Sequence, residues 1–222
     1  MSRILVAIDG PAGAGKSTVA RQVAKRLGIT YVDTGAMYRA IAWKALQNGI
    51  DSENEDEMTQ LAESVQIDLH PEGIYVDGQP LKDELRTSEV TSLASNIAKM
   101  SGVRRILVNK QQRIAEDQSV VMDGRDIGSH VLPHADVKVF LTASIEERAL
   151  RRYKEMKEKG MDVDPEQLKA ELLKRDENDR TRKIAPLKQA DDAVLVDTTD
   201  CSVSEVVEKI LLLCRNKLND EE

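Results

Sequence analysis

The chain has 222 residues, with 32 Lys and Arg against 39 Asp and Glu, a net charge of −7 with histidines neutral. That length suffices for one α/β domain with a buried core and leaves room for an inserted subdomain. The acidic balance argues against a nucleic-acid or membrane-surface binder, and an aromatic content of 3% leaves few stacking platforms for single strands.

Two cysteines, Cys201 and Cys214, cannot make a disulfide framework or, without paired Cys/His spacing, a zinc site. Both read as small core residues. No signal peptide is visible and no apolar run approaches the roughly 18 residues of a membrane span, so the expected location is the cytoplasm.

Ile4-Leu5-Val6-Ala7-Ile8 is a continuous apolar run, the pattern of a buried parallel strand. A glycine-rich turn follows, then a helix in which Val19, Val23 and Leu27 recur every four residues until Gly28 stops it. Thr30–Val32 reads as a second strand and Ala36–Leu46 as a helix ending near Gly49. Ser119–Asp123, Val137–Leu141 and Ala193–Val196 supply three more strands. Ser144–Glu147 and Ser202–Glu205 match a capping box, and Asp164-Pro165 places proline in a first helical turn. Strands alternating with helices predict an α/β fold, a five-stranded parallel sheet with helices on both faces.

Residues 65–81 break this rhythm. Val65–Leu69 alternates, Pro71-Glu72-Gly73 turns, Ile74–Val76 returns and Asp77-Gly78 turns again, a small antiparallel meander preceded by a helical stretch, Glu55–Glu63. The sequence therefore divides into a core of residues 1–49 and 87–222 and an insertion of 50–86, with helices in 87–116 belonging partly to the insertion. The charged tail Asn219–Glu222 is expected to fray.

Gly10-Pro11-Ala12-Gly13-Ala14-Gly15-Lys16-Ser17 satisfies G-x-x-x-x-G-K-S/T directly after a strand and at the start of a helix, the context that motif requires. The glycines let successive backbone N–H groups turn inward toward phosphate oxygens, and the helix N-terminus adds partial positive charge. Lys16 reaches the β- and γ-phosphates, Ser17 can ligate Mg²⁺, and Thr18 continues the first turn. The expected ligand is a nucleoside triphosphate.

A guanine-reading N-K-x-D is missing, because Asn109-Lys110-Gln111-Gln112 lacks its aspartate. Arginines instead suggest a second anionic substrate. Arg148, Arg151 and Arg152 stand at i, i+3 and i+4, where like charges oppose a helix unless an anion or carboxylates balance them. Arg175, Asp179 and Arg182 form a second stripe. The charged linker Lys157–Asp164 between the two stripes suits a mobile lid, at about 150–183. Asp123-Gly124-Arg125-Asp126 follows the third strand at its C-terminal end, where open α/β sheets bind ligands. Asp123 could orient the water shell of a magnesium ion, and Arg125 and Asp126 could meet the acceptor. Asp33-Thr34-Gly35-Ala36-Met37-Tyr38-Arg39 is similarly placed after the second strand. His70, His130 and His134 lie beside turns and read as surface residues. No residue stands out as a general base. None is needed if the acceptor is itself a phosphate, whose second pKa of about 6 leaves it mostly dianionic at neutral pH.

Taken together, these blocks resemble the bacterial cytidylate kinases of the P-loop nucleoside monophosphate kinase group. The matching pieces run from Ile8–Ser17 through Asp33–Arg39, Arg86-Thr87-Ser88-Glu89-Val90, Asp123–Gly128, Arg175-Asp176, Asp179-Arg180, Arg182 and Ala185-Pro186-Leu187. The resemblance implies a P-loop kinase core with an enlarged monophosphate-binding insertion and a helical lid. It also implies transfer of the γ-phosphoryl group of ATP to CMP or dCMP with Mg²⁺, by a monomer. By the same resemblance Thr34, Tyr38, Arg39 and Arg125 hold CMP around its phosphate, while Ser95, Arg104 and Asp126 read cytosine. Arg175 and Asp179 meet the sugar hydroxyls, Arg182 approaches the transferring phosphate, and Arg148, Arg151 and Arg152 belong to the lid over ATP. The family often carries serine where this chain has Thr34, so the hydroxyl is kept and a methyl added. The rivals are another small-molecule P-loop kinase of the shikimate type, which needs a base for its alcohol, and a nucleotide-dependent binding switch.

Overall fold

A computed structural model describes residues 3–70 and 73–219. The turn expected at Pro71-Glu72 and the last three tail residues lie outside the described residues; Asn219 closes the final helix. The strands are β1 (Leu5–Asp9), β2 (Thr30–Asp33), β3 (Ile67–His70), β4 (Gly73–Val76), β5 (Gln79–Leu81), β6 (Val120–Gly124), β7 (Val137–Thr142) and β8 (Val194–Asp197). The helices are α1 (Lys16–Leu27), α2 (Thr34–Gln47), α3 (Glu55–Ser64), α4 (Ser88–Ile97), α5 (Ser101–Asp117), α6 (Ile145–Glu158), α7 (Pro165–Thr181) and α8 (Val203–Asn219). They fall into two compact units, Met1–Tyr31 with Gln118–Glu222, and Val32–Asp117.

The first unit is built on a five-stranded sheet in the order β2-β6-β1-β7-β8. β1 pairs in parallel with β6 and β7, and β7 with β8. Val6, Ala7 and Ile8 are fully buried, which is why β1 reads as an unbroken apolar run rather than an alternating one. The Thr30 end of β2 is tied by its N–H to the Ser119 carbonyl at 3.3 Å. Val19, Ala20 and Val23 of α1 and Val207, Ile210 and Cys214 of α8 share one core cluster with the strands. Register matters most at one point: Asp9 lies opposite Gly124, so the glycine-rich loop leaving β1 and the Asp123–Asp126 segment leave the sheet at the same edge. Cys214 is buried as expected, but Cys201 is exposed, in the turn after β8 with its thiol toward the Asp197 carbonyl.

Helix ends follow their sequence signals. Ser202 and Glu205 exchange reciprocal bonds, a complete capping box. At Ser144 only the serine half forms, because the Glu147 carboxylate accepts from Arg151 instead. Asp164 caps α7 with Pro165 in its first turn.

The second unit holds the meander. β3, β4 and β5 form an antiparallel sheet, and the Asp77-Gly78 turn has positive φ at both residues, as a tight hairpin requires. Lys44 of α2 pairs with Asp77 at 2.7 Å. α2 packs on α4 and α3, and α3 on α5, around Met37, Ile41, Met58, Leu93, Ile97 and Leu107. Compactness therefore extends on both sides of the 50–86 segment marked by its break in pattern, and takes in α2, α4 and α5.

Candidate active site

The loop between β1 and α1 is shaped by close approach to β7. Gly10 has φ +147°, and a Cβ there would fall 2.0 Å from the Leu141 carbonyl oxygen, so no side chain fits. Gly13 and Gly15 take left-handed φ values, and α1 starts at Lys16 with no acidic residue in its first turn to compete for an anion. Pro11, Ala12 and Ala14 are buried, while Gly13 and Thr18 face solvent.

Lys16 is buried and its Nζ donates to the Pro11 carbonyl at 2.7 Å. Burial, with Arg125 and then Arg175 adding repulsion against the pull of Asp123 and Asp179, presses its pKa down to about 7. Burial is the largest of these causes, and the charges around Lys16 are of both signs. Ser17 donates its hydroxyl to Asp123 Oδ2 at 2.9 Å, and Tyr31 donates to Oδ1 at 2.8 Å with the Arg21 guanidinium 5.4 Å from its ring centre. Ser17 and Asp123 offer two adjacent hard oxygen donors, a set that fits Mg²⁺, which keeps several waters and takes few protein ligands. Among the described residues no group of three or more His, Cys, Asp or Glu makes a fuller cage.

Asp123-Gly124-Arg125-Asp126 is braced from β1. The buried Asp9 carboxylate accepts from the Ile127 and Gly128 N–H groups, each at 2.8 Å, in a single π-helical turn, Ile127–Val131. Burial outweighs these two bonds and lifts Asp9 from the usual 3.8 to about 6. A raised carboxylate favours the fold fully below pH 3.8 and loses that contribution as pH climbs through about 6, here about 3 kcal/mol. Urea denaturation should accordingly show the stability difference between Asp9→Asn and the parent moving toward the variant by about that amount from pH 4 to pH 7. A difference independent of pH would mean that Asp9 does not titrate in this range.

Arg125 Nε donates to Asp179 at 2.7 Å, and Arg182 Nη2 to Asp126 at 2.7 Å. Burial works against both partners of the first pair. Mutual attraction nonetheless raises Arg125 and, with Arg175, lowers Asp179. Arg175 and Asp179 stand one turn apart on α7, but Arg182 lies just beyond the helix end, in extended backbone. That departure from the expected helical stripe lets its Nε reach the Ala185 carbonyl at 2.6 Å, where Ala185 itself takes φ +46°.

The three α6 arginines do not act alike. Arg148 is buried and bonds to Asp176 and to the Ala12 and Ala143 carbonyls. Arg151 meets Glu147 and Thr198, and Arg152 meets Glu155. Their mutual repulsion is balanced by one carboxylate each, within the protein.

Thr34, Tyr38, Arg39, Ser95 and Arg104 all belong to the second unit. Asp33 caps α2 by accepting from Ala36 at 2.8 Å and holds Arg39 at 3.0 Å, with buried Thr34 opening the helix and Tyr38 half-buried. Among the described residues Ser95 Oγ of α4 is buried with no hydrogen-bond partner, and the buried Arg104 of α5 donates to the Ala98 carbonyl at 3.4 Å. His70, His130 and His134 are exposed. Sequence reasoning missed Asp9, Tyr31 and Asp176 as parts of this arrangement. A charged residue closing an apolar strand was the one available signal, at Asp9.

The family model for cytidylate kinase matches residues 6–216. The cytidylate kinase of Alkaliphilus oremlandii is 51% identical over 215 residues, covering 97% of this chain and 99% of that protein. That of Clostridioides difficile is 49% identical over 211 residues, covering 95% and 98%. Among solved structures, a shikimate kinase from Bacteroides thetaiotaomicron is similar in fold with a TM-score of 0.50 at 12% identity, covering 96% of this chain and 99% of that one. An uncharacterized protein from Eubacterium ventriosum reaches 0.55 at 13%, covering 95% and 97%. At such identities these two likenesses bear on fold alone. With a family model spanning nearly its whole length and relatives at about half identity, the chain belongs to the cytidylate kinase family.

Proposed function

We propose that this kinase transfers the γ-phosphoryl group of ATP to CMP or dCMP through the cluster that the first unit gathers around Lys16. Phosphorylation of CMP from ATP goes with the family. The assignment of residues rests on one observation: the Ser17 hydroxyl of the triphosphate loop bonds to Asp123 at 2.9 Å, joining that loop to the Asp123–Asp126 segment, whose Arg125 and Asp126 are held by Asp179 and Arg182. The cations on these segments, Lys16, Arg125 and Arg182, suit the phosphate groups of two substrates.

Gly10–Ser17 and Thr18 wrap the triphosphate, with the backbone N–H groups that follow Ala12 turned to phosphate, and Lys16 neutralises charge as the terminal phosphoryl group leaves. Mg²⁺, held by Ser17 and oriented by Asp123, would supply further charge neutralisation on the phosphate oxygens. Arg125, Arg175 and Asp179 orient the acceptor, Arg182 meets the moving phosphoryl group, and Arg151 and Arg152 lie toward ATP on α6. In the second unit, whose 50–86 segment we take as the monophosphate-binding insertion, Thr34, Tyr38 and Arg39 serve the acceptor phosphate and Ser95 and Arg104 the base. No side chain has to remove a proton, because the acceptor phosphate is already ionised. A shikimate-type reaction would need such a base.

Among the described residues no helix is long and apolar enough to cross a membrane. A monomeric cytoplasmic enzyme completes the proposal; the two free thiols fit a reducing compartment. Initial rates with CMP, dCMP, UMP, AMP and shikimate as acceptors test it: cytidine monophosphates should be fastest, and a preference for shikimate would overturn it.

Base choice falls to Asp126. Cytosine presents a 4-amino donor where uracil presents an acceptor, so a carboxylate at that edge favours one and repels the other. Asp126→Ala should lower kcat/KM for CMP and dCMP about 5- to 150-fold and for UMP far less. If Asp126 only braces Arg182, all three acceptors should suffer alike and the CMP:UMP ratio should not move.

A further inference from the structure

We propose that the buried pair of Asp176 and Arg148 is a positioning device for ATP, gripping the peptide groups of Ala12 and so setting the shape of the triphosphate loop. The inference rests on reading Gly10–Ser17 as the ATP cradle and adds two residues that do not themselves touch the nucleotide.

Both polar groups of Ala12 are engaged. Its N–H donates to Asp176 Oδ1 at 3.1 Å, and its carbonyl accepts from Arg148 Nη1 at 3.0 Å. The same Nη1 meets Asp176 Oδ2 at 2.5 Å, and Arg148 Nε anchors on the Ala143 carbonyl at 3.1 Å. A Cβ on Gly13 would lie 3.1 Å from Arg148 Cβ, so the crest of the loop rests directly on α6. Ala12, Ala149 and Leu172 pack together with Ile145 beneath it. The side chains of Arg148 and Asp176 are only 7% and 4% exposed.

A buried ion pair is a weak source of stability, because desolvation offsets most of its attraction. Its fixed geometry, with Arg148 Nη1 shared between Asp176 and the Ala12 carbonyl and Nε on the Ala143 carbonyl, is better suited to orientation. Turning the Ala12 N–H onto a carboxylate commits that group to the protein and leaves the N–H groups after it to face phosphate. α7 also carries Asp179, three residues beyond Asp176, which holds Arg125. One helix therefore grips the donor loop with one carboxylate and an acceptor-side arginine with the next. Arg148, which the family resemblance assigns to the lid over ATP, serves on this reading as a support of the loop.

The test uses the full chain with Asp176→Asn and Arg148→Lys, reading the Kd of a non-hydrolysable ATP analogue, KM for ATP, KM for CMP and thermal unfolding. Each variant should raise both ATP constants by about 10-fold, with KM for CMP changed less than about 2-fold. Arg148→Lys keeps the charge but cannot hold Asp176 and the Ala12 and Ala143 carbonyls together as the guanidinium does, so it carries the test if Asp176→Asn does not fold. Unchanged ATP constants in a folded variant, or equal rises in KM for ATP and CMP, would overturn the inference. Lys16→Ala is the parallel control. If it weakens turnover while the two variants leave ATP constants alone, the positioning role fails and the cradle stands; if Lys16→Ala is also without effect, the cradle reading fails too.

Discussion

Lys16→Ala is expected to lower kcat by about 10²-fold or more while the protein still folds. Lys16 is not part of the apolar cluster around β1, α1 and α8, and its Nζ donates to the Pro11 carbonyl of its own loop. In the free protein its charge is a burden: burial and then Arg125 push its pKa down to about 7. Removing it should leave the melting temperature equal to or above that of the parent, since Arg125 and Arg175 then lose a repelling neighbour. The loss belongs to the reaction, where the triphosphate turns that burden into attraction. Near-normal kcat in a folded Lys16→Ala protein would remove the basis for calling Gly10–Ser17 a catalytic loop.

Arg182→Ala should lower kcat by about 10²-fold and raise KM for CMP much less, because a cation that tightens its contact as the phosphoryl group moves acts on the transition state. Here the alanine variant has a second consequence. The Arg182 and Asp126 side chains are 4% and 8% exposed, so removing the guanidinium leaves a buried carboxylate without this partner. That costs about 3–5 kcal/mol in comparable pairs and should appear as a lowered urea midpoint. Arg182→Lys separates the effects: it retains a charge near Asp126 but cannot bond to both Asp126 and the Ala185 carbonyl. A folded Arg182→Lys protein with kcat still reduced at least 10-fold supports a role in the transition state. Unchanged kcat with a raised KM for CMP would make Arg182 a holder of substrate only.

The β1–loop–α1 unit was legible because all its signals are local: an apolar strand, glycines at left-handed positions, and Val19, Val23 and Leu27 at helical spacing. Asp123 and Arg125 were legible as the residues that end a buried strand at the ligand edge of a parallel sheet. What tertiary folding alone creates was not. Asp9 finds its two N–H partners 118 and 119 positions away, and Asp176 meets Ala12 across 164. No periodicity encodes such pairings. The spacing of Arg148, Arg151 and Arg152 gives a shared helix face but not depth, so the one that turns inward to Asp176 looked the same as the two that stay half-exposed. Likewise, a helix at Ala36–Leu46 and helices within 87–116 are legible in the sequence, but not that α2, α3, α4 and α5 pack in a unit of their own. Cys201 was misplaced in the core because composition alone says nothing about the turn it occupies.

Phosphoryl transfer to a monophosphate is tested most directly by following the γ-phosphate of labelled ATP in the presence of CMP. The label should appear in the β-phosphate of CDP, with ADP and CDP formed in equal amounts and free phosphate negligible. Label released as free phosphate with no CDP formed would contradict it and make the chain a nucleotide hydrolase.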